Sequence, residues 1–545
     1  MRSALAALHA GRFAEAERHY RKILRASPQD GEALHGLGIV LLQLGQPARA
    51  IGFFERALRL PQASSHVHNN LATAFNALGR PVEALDSLER AVALAPKDAT
   101  LHYNRANTLM TLGRNQEALD AFTLATELVP DMAPAWQNRA IVETRLGLLS
   151  DALVSCDHQI ALAPNHAKGR EARGEALMAL GRPAEAIAEF EAAAAKQPSL
   201  ALAHMNKAHA LDVTGRVEEA KAAIEIALRE DPELVLAHCN AASLHLSTGD
   251  FARGWREYEW RWRKDDFKPH LRDLGKKLWL GDEDLKGRTI LLHAEQGFGD
   301  TLQFCRYVPM VAALGAHVVL EVQRALVPLM GSLAGHAMLI ARGDVLPEFD
   351  AHCPLMSLPL AFGTQTFSIP WDKPYISAEP ARVQLWRKRL GPASGPRLGL
   401  AWSGARNFGG DAFRSAPLSS WAALIQPEYE AICLQKDVRE ADAAAAARLG
   451  VRLFSAEIED FGDVAALIEL MDLTISVDSA PAHLAGAMGK KLWVMLPFNA
   501  EWRWRRSGDI TAWYPSARLF RQAAQLDWSS LAEQAAGKLT DALIH

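Results

Sequence analysis

A glycine that recurs every 34 residues constrains the fold of this chain more than any other feature. It stands at Gly11, Gly45, Gly79, Gly113, Gly147, Gly181, Gly215 and Gly249. Seven of these glycines are followed five residues later by alanine, and six are followed seventeen residues later by proline. Glycine permits a turn between two short helices, alanine lets the helices approach closely, and proline ends the second helix. A fixed short period is typical of stacked repeats, so residues 1–265 are predicted to form an α-helical superhelix of about eight repeats.

The apolar pattern within one repeat fits two amphipathic helices. The first helix of the third unit carries its apolar stripe at Leu71, Ala72, Phe75 and Leu78, which is helical spacing. The period, the glycine, the alanine and the proline together resemble the tetratricopeptide repeat over residues 1–265. This resemblance implies a superhelix whose partner is a protein or peptide.

An asparagine stands nine residues before five of the repeated glycines, at Asn70, Asn104, Asn138, Asn206 and Asn240; we call this set the ladder. Gly36 and Ala172 interrupt it. Asparagine offers a donor and an acceptor, which match the backbone of an extended peptide. Alternatively, these amides cap or bridge neighbouring helices. The sequence is similar here to the ladder of protein O-GlcNAc transferases, which favours peptide binding.

Composition excludes several classes of protein. Lys+Arg 59 against Asp+Glu 63 gives a net charge of −4, which is not typical of a nucleic-acid-binding protein. No continuous apolar run is long enough to span a membrane, and no secretory signal is evident at the N-terminus. The five cysteines are widely spaced and form no CxxC pair, so neither a disulfide framework nor a zinc site is expected. We therefore expect a cytoplasmic protein; its oligomeric state is not indicated.

The segment after the last repeated glycine is aromatic and basic. Residues Phe251–Lys264 read FARGWREYEWRWRK. Interleaved aromatic and arginine side chains can stack single-stranded nucleic acid. The helical spacing of Trp255, Tyr258 and Trp262 instead favours a helix that caps the array and docks it onto the next domain. Residues 266–286 are predicted to continue this docking segment as a linker.

The second half of the chain has the pattern of an α/β protein. Strands are predicted over Thr289–Ala294, His317–Val322, Leu398–Trp402, Ala431–Gln435, Leu473–Val477 and Leu492–Leu496. Helices are predicted over Leu302–Leu314, Ala441–Leu449, Val464–Met471 and Leu531–Ile544. Apolar strands that alternate with helices indicate doubly wound parallel sheets. A proline-rich middle favours two Rossmann-like lobes, residues 287–385 and 386–545.

Two junctions between a strand and a helix are candidates for a binding site. The first, His293–Thr301, contains two glycines and an acid at the start of a helix. The second, Ile475–Gly486, places Asp-Ser-Ala-Pro-Ala-His at the start of another helix. A helix N-terminus with hydroxyl groups suits a diphosphate. The structural alternative is that Asp300, Asp478 or Ser479 only caps its helix and that His483 is an ordinary helical histidine.

Taken together, the two junctions resemble those of the lipopolysaccharide heptosyltransferases (glycosyltransferase family 9). The resemblance covers residues 286–545 and implies a GT-B fold with a metal-independent site between two lobes. It implies that Gly297 and Gly299 belong to the donor-binding loop and that Asp300 is the catalytic base.

The second junction resembles the family's Asp-Ser/Thr-Gly-x-x-His-Leu segment, which implies donor binding by Asp478, Ser479 and His483. Ala480 occupies the position of the usual glycine and adds a methyl group where the donor would approach. After the strand that ends at Trp402, Ser403 is a candidate donor-binding residue, and the resemblance implies that Arg414 occupies the position of a phosphate-binding lysine; Arg406 lies between them.

These features predict an enzyme that transfers a sugar from a nucleotide-sugar donor to a hydroxyl group, on a protein or peptide presented by the repeats. A base must take the acceptor proton, and positive charge must stabilise the departing diphosphate. No metal or other cofactor is expected. The alternative is an inactive transferase-like domain within a protein-binding scaffold.

Overall fold

The computed structural model describes residues 1–61, 64–370, 373–404 and 411–544. It forms two compact units, Met1–Pro232 and Glu233–His545.

The first unit consists of paired helices. Among its described residues it contains α1 (Arg2–His9), α2 (Phe13–Ala26), α3 (Gly31–Gln43), α4 (Pro47–Leu58), α5 (Ser65–Ala77), α6 (Pro81–Leu94), α7 (Ala99–Thr111), α8 (Asn115–Leu128), α9 (Ala133–Arg145), α10 (Leu149–Leu162), α11 (Ala167–Ala179), α12 (Pro183–Lys196), α13 (Ala201–Val213) and α14 (Val217–Glu230). Each repeated glycine lies between the two helices of a pair, as the period predicts.

The repeat signature has a direct physical cause in this structure. All eight repeated glycines adopt a positive φ, between +69° and +87°, which a residue with a side chain rarely adopts. The seven alanines that follow are completely buried where the paired helices cross. Any larger side chain there would separate the helices, so glycine and alanine together fix the geometry of the pair.

The second unit begins with the eighth repeat and continues into two sheets. Its helices are α15 (Val235–Thr248), α16 (Phe251–Tyr258), α17 (Phe298–Phe304), α18 (Val308–Ala313), α19 (Val327–Met330), α20 (Leu358–Ala361), α21 (Pro380–Leu390), α22 (Asp411–Arg414), α23 (Glu440–Leu449), α24 (Phe461–Glu469), α25 (Ala480–Ala487), α26 (Trp528–Ala536) and α27 (Leu539–Ile544). Its strands are β1 (Lys277–Leu278), β2 (Thr289–His293), β3 (His317–Val322), β4 (Met338–Ala341), β5 (Ala351–Pro354), β6 (Arg397–Ala401), β7 (Glu430–Cys433), β8 (Leu473–Val477), β9 (Leu492–Leu496) and β10 (Ala517–Arg521).

The strands form two parallel five-stranded sheets, with orders β1-β5-β2-β3-β4 and β10-β9-β8-β6-β7. All six predicted strands are present, whereas β1, β4, β5 and β10 were not predicted. The predicted helix Leu302–Leu314 is interrupted by a 3₁₀ turn at Cys305–Tyr307, and Leu531–Ile544 is divided into α26 and α27. Two five-stranded parallel sheets are consistent with a GT-B fold.

The eighth repeat packs with the sheets of the second unit. Trp255 of α16 is 2% exposed, and its indole N–H donates a hydrogen bond to the carbonyl oxygen of Thr364 at 3.1 Å. Its ring meets those of Trp502 and Phe304 edge to face, with centroids 5.4 and 6.3 Å apart. The compact units therefore divide after Pro232, one repeat earlier than the predicted end of the array at residue 265.

The other predicted boundaries also differ from the elements observed. The predicted linker 266–286 contains strand β1, which pairs with β5 at the edge of the first sheet. The predicted lobe boundary between residues 385 and 386 falls inside α21. That helix packs against α24, because the Trp386 indole donates to Asp463 at 2.9 Å and Arg382 makes a two-point ion pair with Asp460.

Candidate functional site

Two helices that follow the central strands of the two sheets meet in the second unit. Helix α17 follows β2, and α25 follows β8; each strand is third of five in its sheet. A Cβ atom added to Gly299 would lie 2.7 Å from Cδ2 of His483. The first junction therefore faces the second directly, and only glycine allows this approach.

Asp300 uses its two carboxylate oxygens differently. Oδ2 accepts a hydrogen bond from the backbone N–H of Gly297 at 3.0 Å, which closes the first turn of α17. Oδ1 accepts from the guanidinium group of Arg503 at 2.8 Å. Asp300 therefore caps its helix through Oδ2 alone. Its Oδ1 makes an ion pair with Arg503 instead.

Arg503 was not among the predicted site residues. It lies in the 3₁₀ turn Trp502–Trp504, is 7% exposed, and also pairs with Glu501 at 3.0 Å. Burial opposes its charge, but Glu501, Asp300 and Asp478 together raise its pKa, so it stays protonated. The signal in the sequence is an arginine flanked by two tryptophans, which indicates a buried cation that needs anionic partners.

Asp478 and His483 form a second buried pair. Nε2 of His483 lies 3.5 Å from Oδ1 of Asp478, and Nδ1 lies 2.9 Å from the hydroxyl group of Tyr514. Burial lowers the pKa of His483, although Asp478 opposes this. Burial alone would raise the pKa of Asp478, but His483 and Arg503 outweigh it and lower the pKa. His483 is therefore an enclosed, oriented imidazole rather than an ordinary surface histidine.

The start of α25 offers few donors for an anion. Ser479 does not cap the helix with its side chain, because its hydroxyl group lies 3.0 Å from that of Ser476. Pro481 has no N–H group, and the N–H of Ala482 donates to the Ser479 carbonyl oxygen at 3.0 Å. Among the described residues of this turn, the Ala480 N–H remains available, beside the added methyl group.

Two further predicted donor-binding residues, Ser403 and Arg414, follow β6 in the chain. Ser403 accepts a hydrogen bond from Gln435 at 2.8 Å and is 8% exposed. Arg414 of α22 packs on Gly404, since a Cβ there would lie 2.6 Å from its guanidinium group. Burial raises the pKa of Glu501 to about 8, although the positive charges of Arg503 and Arg414 oppose this. Arg406 lies outside the described residues.

The aromatic and basic segment joins the eighth repeat to the first junction. Arg261 is 3% exposed and donates to Glu295 at 3.1 Å and to Ser357 at 2.7 Å. The hydroxyl group of Tyr258 accepts from Gln296 at 3.0 Å. Burial raises the pKa of Glu295 to about 7, although Arg261 opposes it. These side chains are used for docking, as the helical spacing indicates, and they support the loop before Asp300.

Four ladder asparagines bridge neighbouring repeats. Asn70 donates to His35 at 2.8 Å, Asn104 to Asn69 at 2.7 Å, Asn138 to Asn107 at 2.7 Å and Asn206 to Glu175 at 3.0 Å. Asn240 belongs to the second unit and has no side-chain hydrogen bond among the described residues. In these four asparagines the Nδ2 group therefore bridges two repeats, as the alternative interpretation predicts. Their Oδ1 atoms accept no hydrogen bond within the described parts of the chain.

The parts of the chain that the structure describes contain no group of three or more histidine, cysteine, aspartate or glutamate side chains arranged to hold a metal ion. No described helix combines the length and the apolar composition that crossing a bilayer requires.

Comparison with known proteins identifies the repeats. The family model of the tetratricopeptide repeat matches residues 1–66, 69–133, 103–155, 159–201, 171–235 and 205–259. Residues 1–259 therefore consist of tetratricopeptide repeats. Protein FlbA of Caulobacter vibrioides is 29% identical over 312 residues, which are 51% of this chain and 50% of that protein. The chain thus spans about half the length of this curated relative.

Solved structures of repeat proteins are also similar. A tetratricopeptide repeat protein from Parabacteroides merdae is 20% identical, with a TM-score of 0.39, covering 42% of this chain and 91% of that one. YrrB, described as a tetratricopeptide repeat protein with an unusual peptide-binding site, is 21% identical, with a TM-score of 0.31. The match covers 34% of this chain and 95% of that one.

Proposed function

We propose that this chain is a glycosyltransferase that moves a sugar from a nucleotide-sugar donor to a hydroxyl group of a protein held by the repeats. The observation that carries the proposal is the direct approach of the two junctions, with Asp300, Arg503 and the Asp478–His483 pair between them. Ligands of open parallel sheets bind beyond the carboxyl ends of strands, and both junctions occupy that position.

In this proposal Asp300 is the base and Arg503 is a cation that changes partner. While Asp300 is paired with Arg503, its Oδ1 accepts the guanidinium hydrogen bond and is not free to accept a proton from an acceptor hydroxyl group. A donor diphosphate would draw the guanidinium group toward its own oxygens and leave Oδ1 of Asp300 to accept the proton of the acceptor hydroxyl group. Arg414 supplies further positive charge for the leaving diphosphate.

His483 and Asp478 have a different part. The imidazole is held by Tyr514 on one side and by Asp478 on the other, so its ring cannot rotate freely. A fixed polar group of this kind orients the sugar against Asp300. Ser403 and Ser479 contribute hydroxyl groups at the ends of β6 and β8.

In this proposal the repeats bind the protein that receives the sugar. Tetratricopeptide repeats suit the binding of a protein segment, and the ladder retains four Oδ1 acceptors after each Nδ2 group has bridged to the preceding repeat. These acceptors match the N–H groups of an extended backbone.

The test uses the full chain with a panel of uridine-, guanosine-, adenosine- and cytidine-based sugar nucleotides, with release of free nucleotide measured by chromatography. We expect turnover of at least one donor and its loss in Asp300→Asn, which keeps the shape of the side chain. Asp509→Asn, at an exposed carboxylate, is the matched control and should keep full turnover. Equal turnover in both variants would refute the role of Asp300.

A second candidate function, a scaffold with an inactive transferase-like domain, is favoured by the ion pair of Asp300 and by Ala480 with Pro481 at the start of α25. The ion pair occupies the carboxylate oxygen that would act as the base, and Pro481 has no N–H group to donate to a phosphate. Titration calorimetry with the four nucleoside diphosphates separates the candidates. Absence of binding at millimolar concentration would leave the scaffold, whereas binding without turnover would place the loss at the chemical step.

A further inference from the structure

The interrupted ladder position of the sixth repeat is flanked by two carboxylates. Ala172 takes the place of asparagine in α11, and Glu171 and Glu175 lie one residue before it and three after it. The two glutamates are four residues apart on one helix, so their side chains lie on the same face. We call Glu171 and Glu175 the acidic pair.

Glu171 makes no hydrogen bond among the described residues, whereas its equivalents in three other repeats do. In the second, third and fourth repeats the equivalent residue, His35, Asn69 or Tyr103, lies within hydrogen-bonding distance of the ladder asparagine 35 residues later. The residue 35 positions after Glu171 is Asn206, which donates to Glu175 instead at 3.0 Å. Glu171 is 7% exposed and makes no hydrogen bond or ion pair with any described residue.

The cations near the acidic pair make no ion pair with it among the described residues; Arg145 acts on Glu175 only through its charge. Arg170 pairs with Glu189 at 3.1 Å, and Arg173 pairs with Glu189 at 3.0 Å and with Asp157 at 2.9 Å. Lys168 acts on Glu171 only through its charge at a distance. An almost buried carboxylate without a hydrogen bond is costly, and a cation brought by another molecule would remove that cost.

We propose that the acidic pair binds a lysine or arginine side chain of the protein segment held by the repeats. Glu171 provides the unpaired carboxylate, and Asn206 holds the carboxylate of Glu175 in a fixed orientation beside it. The side chain of Ala172 leaves the space that asparagine occupies in the neighbouring repeats. This inference rests on the proposed function of the array in binding a protein, and it adds the chemistry of that partner.

The experiment is selection from a degenerate library of 12-residue peptides on the immobilised full chain, followed by sequencing of the bound pool. We expect lysine and arginine to be enriched at least fivefold at one position of the aligned pool. In Glu171→Gln/Glu175→Gln the enrichment should fall to background while the other preferences remain. Glu185→Gln, at a carboxylate paired with Arg182 and more than half exposed, is the matched control and should keep it.

The outcomes separate the two proposals. A bound pool with clear preferences but no basic position would overturn the acidic pair while leaving the array a peptide-binding surface. A basic preference that survives in the double variant would also overturn it. No selection above background would overturn peptide binding by the array, and the acidic pair with it. Glutamine keeps the shape of glutamate, so circular dichroism should show an unchanged helix content.

Discussion

The guanidinium group of Arg503 donates a hydrogen bond at 2.8 Å to Asp300, which lies 203 residues earlier in the chain. The bond links the turn before the tenth strand to the helix after the second strand, so it joins the two sheets of the second unit. It also occupies the carboxylate oxygen that a base would need. Oδ1 of Asp300 therefore has two possible uses: it makes a stabilising ion pair, and it is the atom that would accept a proton in catalysis.

Replacing Arg503 by methionine should destabilise the second unit by about 2–4 kcal/mol, because Asp300 and Glu501 would lose their buried cation. We place the value below that of a fully buried pair, since 40% of the Glu501 side chain is exposed. Tryptophan fluorescence during denaturation measures this, because every tryptophan except Trp136 lies beyond residue 232. Arg324→Met, at an exposed ion pair with Asp344, should change stability by less than about 1 kcal/mol. Equal losses in the two variants would contradict a structural role of the Arg503 pair.

The approach of α17 to α25 predicts that Gly299→Ala is harmful. The new methyl group would meet the His483 ring at 2.7 Å, and Tyr514 and Asp478 hold that ring in place. Overpacking of this kind costs about 1–3 kcal/mol, measured as a shift in the denaturation midpoint. Gly331→Ala is the control, because its nearest neighbour would be 3.8 Å away. A wild-type midpoint for Gly299→Ala would show that the two helices separate easily.

The burial of Glu171 predicts a pH-dependent stability of the first unit. Burial, with a smaller effect of Glu175, raises its pKa from 4.5 to about 7. The folded state thus favours the protonated acid, so the stability that this group contributes is present below pH 4.5 and is lost as the pH rises through 7.

Glu171→Gln mimics the protonated form and should therefore stabilise the chain at pH 8, by about 1–3 kcal/mol, with little change at pH 4.5. Urea unfolding followed by far-ultraviolet circular dichroism at both pH values measures the difference. Glu185→Gln should show no such gain. A Glu171→Gln variant that is less stable at pH 8 would mean that the carboxylate has a stabilising partner.

The packing of α16 predicts that the eighth repeat contributes to the stability of the second unit. Trp255→Ala removes a ring that is 2% exposed and a hydrogen bond to Thr364, and should cost about 3–5 kcal/mol. Trp255→Phe keeps much of the packing and should cost clearly less. Both are measured by denaturation followed by the remaining tryptophans. A small loss for Trp255→Ala would instead assign the eighth repeat to the array.

The sequence predicted most of the fold because its signals are local and repeated. A glycine with a φ between +69° and +87° recurs in every repeat, and the six predicted strands are continuous apolar runs. Strands β4 and β10 were missed because Met338–Ala341 and Ala517–Arg521 carry exposed or charged residues at sheet edges. The short strand β1 exists only through its pairing with β5.

The sequence indicated only some of the residues that the structure brings together at the two junctions. Asp300, Asp478 and His483 stand at strand ends where chemistry is expected, and the structure brings them together. Arg503 was not predicted, since a lone arginine among tryptophans does not indicate which carboxylates it meets. The ladder was predicted as a surface, but its bridging hydrogen bonds depend on residues 31 or 35 positions earlier in the chain.

By itself, the sequence determined the period of the array, the two parallel sheets and the identity of the polar groups at the strand ends. These depend on backbone conformation and on apolar spacing, which each segment carries within itself. Only the tertiary structure decided that Arg503 pairs with Asp300, that the eighth repeat packs with the sheets, and that Glu171 makes no ion pair with any described residue. The physical reason is that ion pairing and burial depend on distances between segments far apart in the chain, which packing of the whole unit sets.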